Sequence, residues 1–193
     1  MRTLALLLLC GCAASGSFPV HERTGIGVRG LAAESLQSDR DDPAVPGGGA
    51  VDLDASGFGI QAESFLQADT SATFTLLRRV YDSPGVEVRA LEYRSGLRYY
   101  LFETSPVQPF VTGVITVAGL DSSAEDGLSY GIGAGVGGGL ATWIGRHFGL
   151  EAGFLYEGQV VDFHLHDTDE GTEVSTTESI YGLTLEIQAG IFF

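Results

Sequence analysis

From Thr24 to Phe193 apolar residues recur at every second position, and the three-and-four spacing of an amphipathic helix is hard to find. Strict alternation marks a strand with one apolar face. The C-terminal run is the clearest. Tyr181, Leu183, Leu185, Ile187, Ala189, Ile191 and Phe193 share one face, and Gly182, Thr184, Glu186, Gln188, Gly190 and Phe192 share the other. Phe148 to Val160 divides the same way, with Glu151, Glu157 and Gln159 on the polar side. From Leu128 to Ile144 the second face is almost entirely glycine. Extending the count predicts eight strands: Thr24–Leu36, Ser56–Leu66, Ala72–Tyr81, Val86–Phe102, Gln108–Leu120, Leu128–Ile144, Phe148–Phe163 and Ser179–Phe193. The third and fifth have ambiguous phase. The fourth slips between Ala90 and Leu91, which predicts a bulge there.

Strand length then selects the architecture. Soluble strands average five or six residues, whereas tilted membrane-crossing strands run to ten or more. Tyr181 and Phe193 share a face twelve residues apart, roughly 30 Å along a tilted barrel axis. That separation suits two aromatic girdles around an apolar band, with Tyr93 and Tyr99 or Phe148 and Tyr156 as further members. The expected fold is all-β, an eight-stranded antiparallel up-and-down transmembrane β-barrel. Long connections follow odd strands (37–55, 121–127, 164–178) and short ones follow even strands, except at Asp82 to Gly85. Long outer loops and short inner turns are usual for such barrels.

Charge sharpens this picture. Acids outnumber bases 25 to 10, for a net charge of -15. Residues 37–55, 121–127 and 162–178 together carry -13 of it, so the outer loops are acidic and the wall is nearly balanced. No basic surface is available for nucleic acid or for a polybasic membrane contact. On the polar faces, Glu92, Arg94, Arg98, Glu151, Glu157 and Glu186, with Gln159 and Gln188, form a predicted lumen set that Arg29 and Glu63 can join. Charges in so narrow an interior must pair. A structural ion-pair plug is therefore expected rather than a porin-like channel.

The N-terminus reads as an export signal. Met1 and Arg2 precede the apolar run Leu4 to Leu9, which is too short to cross a membrane as a helix. Leu9, Gly11 and Cys12 fit a bacterial lipobox, with Cys10 unusual within it. This resemblance implies cleavage before Cys12 and acylation of its thiol; ordinary cleavage near Ala13 and Ala14 is the alternative. Cys10 and Cys12 are the only cysteines, so the mature chain has no internal disulfide and no cysteine-based zinc site. The chain divides into a signal over 1–11, a linker over 12–23 and a barrel over 24–193.

Gln108-Pro-Phe-Val-Thr-Gly-Val, the glycine-alternating stretch Tyr130 to Leu140 and Phe148 to Tyr156 resemble the small outer-membrane β-barrel domains, a broad family that includes the membrane domain of OmpA. Leu97 to Phe102 resembles the strand preceding the proline-aromatic strand in such proteins. The resemblance covers about 86–193 and is weak before Val86. It implies a bacterial outer-membrane location among lipids and lipopolysaccharide. It also implies that terminal Phe193, with its alternating apolar residues, serves as the signal for the outer-membrane insertion machinery. Two features depart from the family: the lipobox, and the chain's end at Phe193 without a following peptidoglycan-binding domain.

Gly133 to Gly138 matches G-x-G-x-x-G, but within a strand rather than before a helix, which argues against nucleotide binding. His164, His166 and Asp167, with Asp169 or Glu170, offer weak metal chemistry; a solvated loop is the expectation, with no resident metal or cofactor. His147 falls in a turn and is expected to be solvated. Asp162, His164 and Ser179 can all face outward near the upper rim, the composition of an ester-hydrolysing triad, but a one-residue slip would undo it. The leading expectation is a non-enzymatic outer-membrane barrel with a structural or surface-interaction role through its acidic loops. The alternatives are a soluble lipocalin-like lipoprotein binding an apolar ligand inside its barrel, and an outer-membrane lipid-ester hydrolase.

Overall fold

A computed structural model describes residues 24–40, 51–83, 86–102, 105–122, 128–145, 147–167 and 172–193. Eight antiparallel strands close into one barrel in sequence order: β1 (Thr24–Arg40), β2 (Val51–Phe65), β3 (Thr70–Ser83), β4 (Val86–Tyr100), β5 (Val107–Ser122), β6 (Leu128–Ile144), β7 (Phe148–Asp167) and β8 (Thr172–Phe192). No helix occurs among the described residues. Following cross-strand partners from Gly30 around the wall arrives at Thr177, whereas Gly30 itself faces Ile187. The row thus returns ten residues away on β8, a stagger that tilts eight strands by roughly 40°.

The alternation read from sequence sets the faces. Ile26, Phe58, Leu91, Ile132, Phe154, Leu185 and their neighbours in phase point outward and stay exposed. Arg29, Gln61, Glu92, Glu157, Thr184 and Gln188 point inward and are buried. A water-soluble barrel has the reverse polarity, so the lipocalin-like alternative is overturned. The phases of β3 and β5 are now fixed: Thr73, Thr75, Leu77, Arg79 and Tyr81 face in from β3, and Phe110, Val114, Thr116, Ala118 and Leu120 from β5.

The interior is layered. Next to the loop side lie Ala33, Leu36, Ala55, Tyr81, Ala90, Ala118, Leu120, Val161 and Ile180. Next to the terminal side lie Phe65, Tyr100, Phe110, Ala141 and Phe192, with Trp143 packed against them. The charged residues fill the space between. This layering explains the one misplaced irregularity. β4 keeps an unbroken register with both neighbours, so there is no bulge at Ala90. Ala90 is apolar and inward because the upper lumen is itself apolar, with Val88 packed against it. The irregularity lies instead in β1, where the register shifts between Ala33 and Leu36 against β2.

The strands also outrun the predicted ones. β7 extends to Asp167 and β8 begins at Thr172, so most of the expected loop 164–178 is hairpin. A strand above the bilayer has no apolar face to show, and alternation cannot reveal it.

On the terminal side the chain closes tightly. The Phe193 amide donates to the Thr24 carbonyl at 2.9 Å. Gly145 takes φ +67°, which the β6–β7 turn requires and side chains resist. In β6, a Cβ on Gly137 would press into the Phe154 carbonyl oxygen across the ladder and lie 2.9 Å from the Leu155 Cα. Gly137→Val is therefore expected to destabilise the barrel by about 1–3 kcal/mol through overpacking. Urea unfolding of the refolded protein in micelles checks this.

Candidate functional site

The candidate site is the lumen. Its charges fall into two groups. In the upper group Arg94 of β4 is central. Its guanidinium donates to Glu92 and Glu157 at 2.8 Å each and to Glu186 at 2.9 Å. Arg79 of β3 lies 2.6 Å from Glu157 and donates to Thr184 at 2.8 Å. Arg29 of β1 reaches Glu186 at 3.0 Å and Gln188 at 2.9 Å. The Tyr81 hydroxyl donates to Glu92 at 2.7 Å, and Gln159 donates to the same oxygen at 3.2 Å. Three guanidiniums thus meet three carboxylates.

The lower group is not balanced. Among the described residues Arg98 is the one cation within ion-pair distance of this group, 2.7 Å from Glu151 and 3.3 Å from Glu63. Ser71 and Tyr100 add hydroxyl donors to Glu63 at 2.5 and 2.8 Å. The Arg98 guanidinium sits 4.3 Å from the centre of the Phe110 ring, resting the charge layer on the aromatic one. Glu63, Glu92 and Arg79 are each no more than 1% exposed. Beside the charges, Arg29, Thr112, Glu151, Glu186 and Gln188 line a cavity of about 10 Å³, the lower limit for one water.

All six lumen residues expected from sequence, Glu92, Arg94, Arg98, Glu151, Glu157 and Glu186, stand in these ion pairs, and Arg29 and Glu63 join them. Arg79 was missed. Its neighbours Leu76, Leu77 and Arg78 leave β3 without a phase; Phe74 and Leu76 set against Thr73 and Thr75 hold the signal that fixes it.

Elsewhere the expected chemistry is less concentrated. His164 and His166 lie on β7 rather than in a loop; their side chains, Asp169 and Glu170 are outside the described residues. The β7–β8 register sets His164 opposite Ser175 and Val160 opposite Ser179, which puts Ser179 four cross-strand pairs from His164. His147 lies in the β6–β7 turn as expected, with Nδ1 2.9 Å from the Phe192 carbonyl oxygen. Cys12 lies outside the described residues. Gly133, Gly135 and Gly137 sit within β6, as the strand reading requires. Outside the wall, Gly113 and Gly138 leave a shallow indentation among Leu97, Tyr99, Val136 and Tyr156, which faces the bilayer side and carries no polar array.

No protein-family model matches the chain, and no curated protein matches it by sequence. Solved structures do. Neisserial surface protein A is similar at 14% identity and TM-score 0.58, over 87% of this chain and 96% of that one. The outer membrane protein OprG from Pseudomonas aeruginosa is similar at 13% identity and TM-score 0.59, over 90% and 96%. The outer membrane protein AlkL, solved in lipid bilayers, is similar at 15% identity and TM-score 0.56, over 93% and 94%. The resemblance to small outer-membrane β-barrels therefore holds at the level of fold.

The two charge groups respond differently to losing a carboxylate. Glu157→Gln leaves Arg79 and Arg94 short of a shared partner in a balanced group, so it is expected to cost about 3–5 kcal/mol. Glu63→Gln relieves a group with one acid in excess and keeps an oxygen for Ser71 and Tyr100; its cost is expected to stay below about 1 kcal/mol. Urea titration of both variants in the same detergent makes the comparison.

Proposed function

We propose that the protein is a non-enzymatic barrel of the bacterial outer membrane. Its lumen is a structural plug, and its work is done at the loop side through acidic surface. The observation that carries this reading is the inverted polarity of the wall: apolar outward along all eight strands, charged inward, with apolar layers above and below the charges. An outward apolar belt is stable only in lipid. A lumen filled by paired side chains leaves no aqueous path on the scale of a porin. Asp54, Asp82, Glu87, Asp121 and Asp162 are exposed where the strands approach the loop side, in line with the acidic loop sequences. Surrounding lipid and lipopolysaccharide, and the insertion machinery acting on the Phe193 end, are the partners this reading implies. Phe193 is exposed at the terminal rim.

Two measurements test the proposal. The protein from outer membranes is expected to migrate differently on SDS gels before and after boiling, as a closed barrel does. In planar bilayers it is expected to show no sustained porin-scale conductance. Steady conductance would sink the plug. Unchanged migration, with release from membranes on removing the N-terminal segment, would sink the transmembrane barrel.

A further inference from the structure

The outward wall carries a cation that its own strands leave unanswered. Arg78 of β3 is exposed and faces away from the lumen, between Leu76 and Val80 along the strand. Its cross-strand partners are Phe58 on β2 and Leu91 on β4, both exposed and apolar. No hydrogen bond or ion pair engages its guanidinium among the described residues. The first outward carboxylate above it on β3 is Asp82, four residues on, about 10 Å higher along a tilted strand. On β2 the outward positions above Phe58 are Ser56 and then Asp54. A bare guanidinium in an apolar belt must turn its head toward the headgroup region and find an anion there.

The nearest outward cation lies in that direction. Arg89 pairs across the ladder with Val80, which makes it the diagonal neighbour of Arg78 on the loop side. Such neighbours stand about 7–8 Å apart at the backbone. Arg89 is 60% exposed and its Nε donates to Glu87 at 2.7 Å, leaving its other guanidinium nitrogens outside that bond. The two arginines stand on neighbouring outward positions at the top of the apolar belt, between Tyr93 below and the acidic ends of β3 and β4 above.

The geometry points to a binding site for the phosphate of a membrane lipid in the loop-side leaflet, held chiefly by Arg78 and assisted by Arg89. The acyl chains lie along Leu76, Phe58 and Leu91. Guanidinium suits this task, since its planar fork meets two phosphate oxygens at once. Asp54, Asp82 and Glu87 lie above the patch and Asp121 is the direct cross-strand partner of Arg89, so Arg89 is the weaker of the two holders and the acids disfavour a soluble anion approaching from water. This inference rests on the transmembrane reading, which the gel shift on boiling tests by itself.

The decisive experiment is native mass spectrometry of the detergent-purified, delipidated protein. It is mixed with a saccharolipid bearing phosphate monoesters, with the same lipid after dephosphorylation, or with inorganic phosphate alone. Wild type is expected to retain one phosphorylated lipid. Arg78→Gln is expected to weaken retention by about tenfold and Arg89→Gln by less, on the scale of one charge-assisted bond. Arg78→Lys is expected to fall between, keeping the charge without the fork. The dephosphorylated lipid should bind wild type no better than the phosphorylated one binds Arg78→Gln, and inorganic phosphate should not be retained. Equal retention by wild type and Arg78→Gln, or indifference of wild type to the lipid's phosphate, would overturn the site. Retention of inorganic phosphate alone would overturn a lipid as its ligand. If Arg78→Gln does not fold, the wild-type comparison of the two lipids still decides.

Discussion

Arg94 stands at the point on which the rest of the barrel depends. A wall that is apolar outward has to place its polar faces inward, and the interior of an eight-stranded barrel holds side chains rather than water. Charges confined there lose hydration that only opposite charges and hydrogen bonds replace. Arg94 answers Glu92 on its own strand, Glu157 on β7 and Glu186 on β8. Through Glu157 it shares a partner with Arg79 of β3, and through Glu186 with Arg29 of β1. Strands distant around the wall are thus tied across its middle. The glycines of β6 belong to the same arrangement, because their bare inward face lies against Gln159 and Glu157 and leaves the room that these long side chains occupy.

The surplus acid sits low in the barrel. Three arginines face three glutamates in the upper group, whereas among the described residues Arg98 is the one cation within ion-pair distance of Glu63 and Glu151. The lower group compensates with neutral donors, Ser71 and Tyr100, and with the Phe110 ring beneath the guanidinium. Hydroxyl donors and an aromatic face stabilise the ionised groups without adding charge. The same aromatic layer then closes the terminal side through stacked and edge-on contacts from Phe65 to Tyr100 and from Trp143 to Phe192.

Much of this was legible in the chain because alternation and strand order translate directly into faces and neighbours. β6 was read at its observed bounds, and Glu157 and Glu186 fell on the inward faces of β7 and β8 by parity alone. What stayed hidden is what parity does not encode. The lumen changes from apolar to charged to aromatic along its axis, so inward Ala90 looked like a slip in β4. Arg79 adjoins Arg78, and one faces in while the other faces out, a pair that gives no phase by itself. The upper reaches of β7 and β8 lie beyond the apolar belt, where a strand carries no amphipathic mark. Pairings such as Arg94 with Glu186 join residues far apart in the chain and follow only from the closed ring.

The contact between β1 and β8 joins the first strand of the barrel to the last. Arg29 reaches across it to Glu186 and Gln188, while the Phe193 amide meets the Thr24 carbonyl at its lower end. Parity makes this seam self-checking. A slip of one residue between the two strands would turn either Arg29 or Glu186 into lipid and orphan its partner inside. The clasp therefore acts as a parity check on closure: a ring closed one residue out of step is penalised at the moment the ends meet.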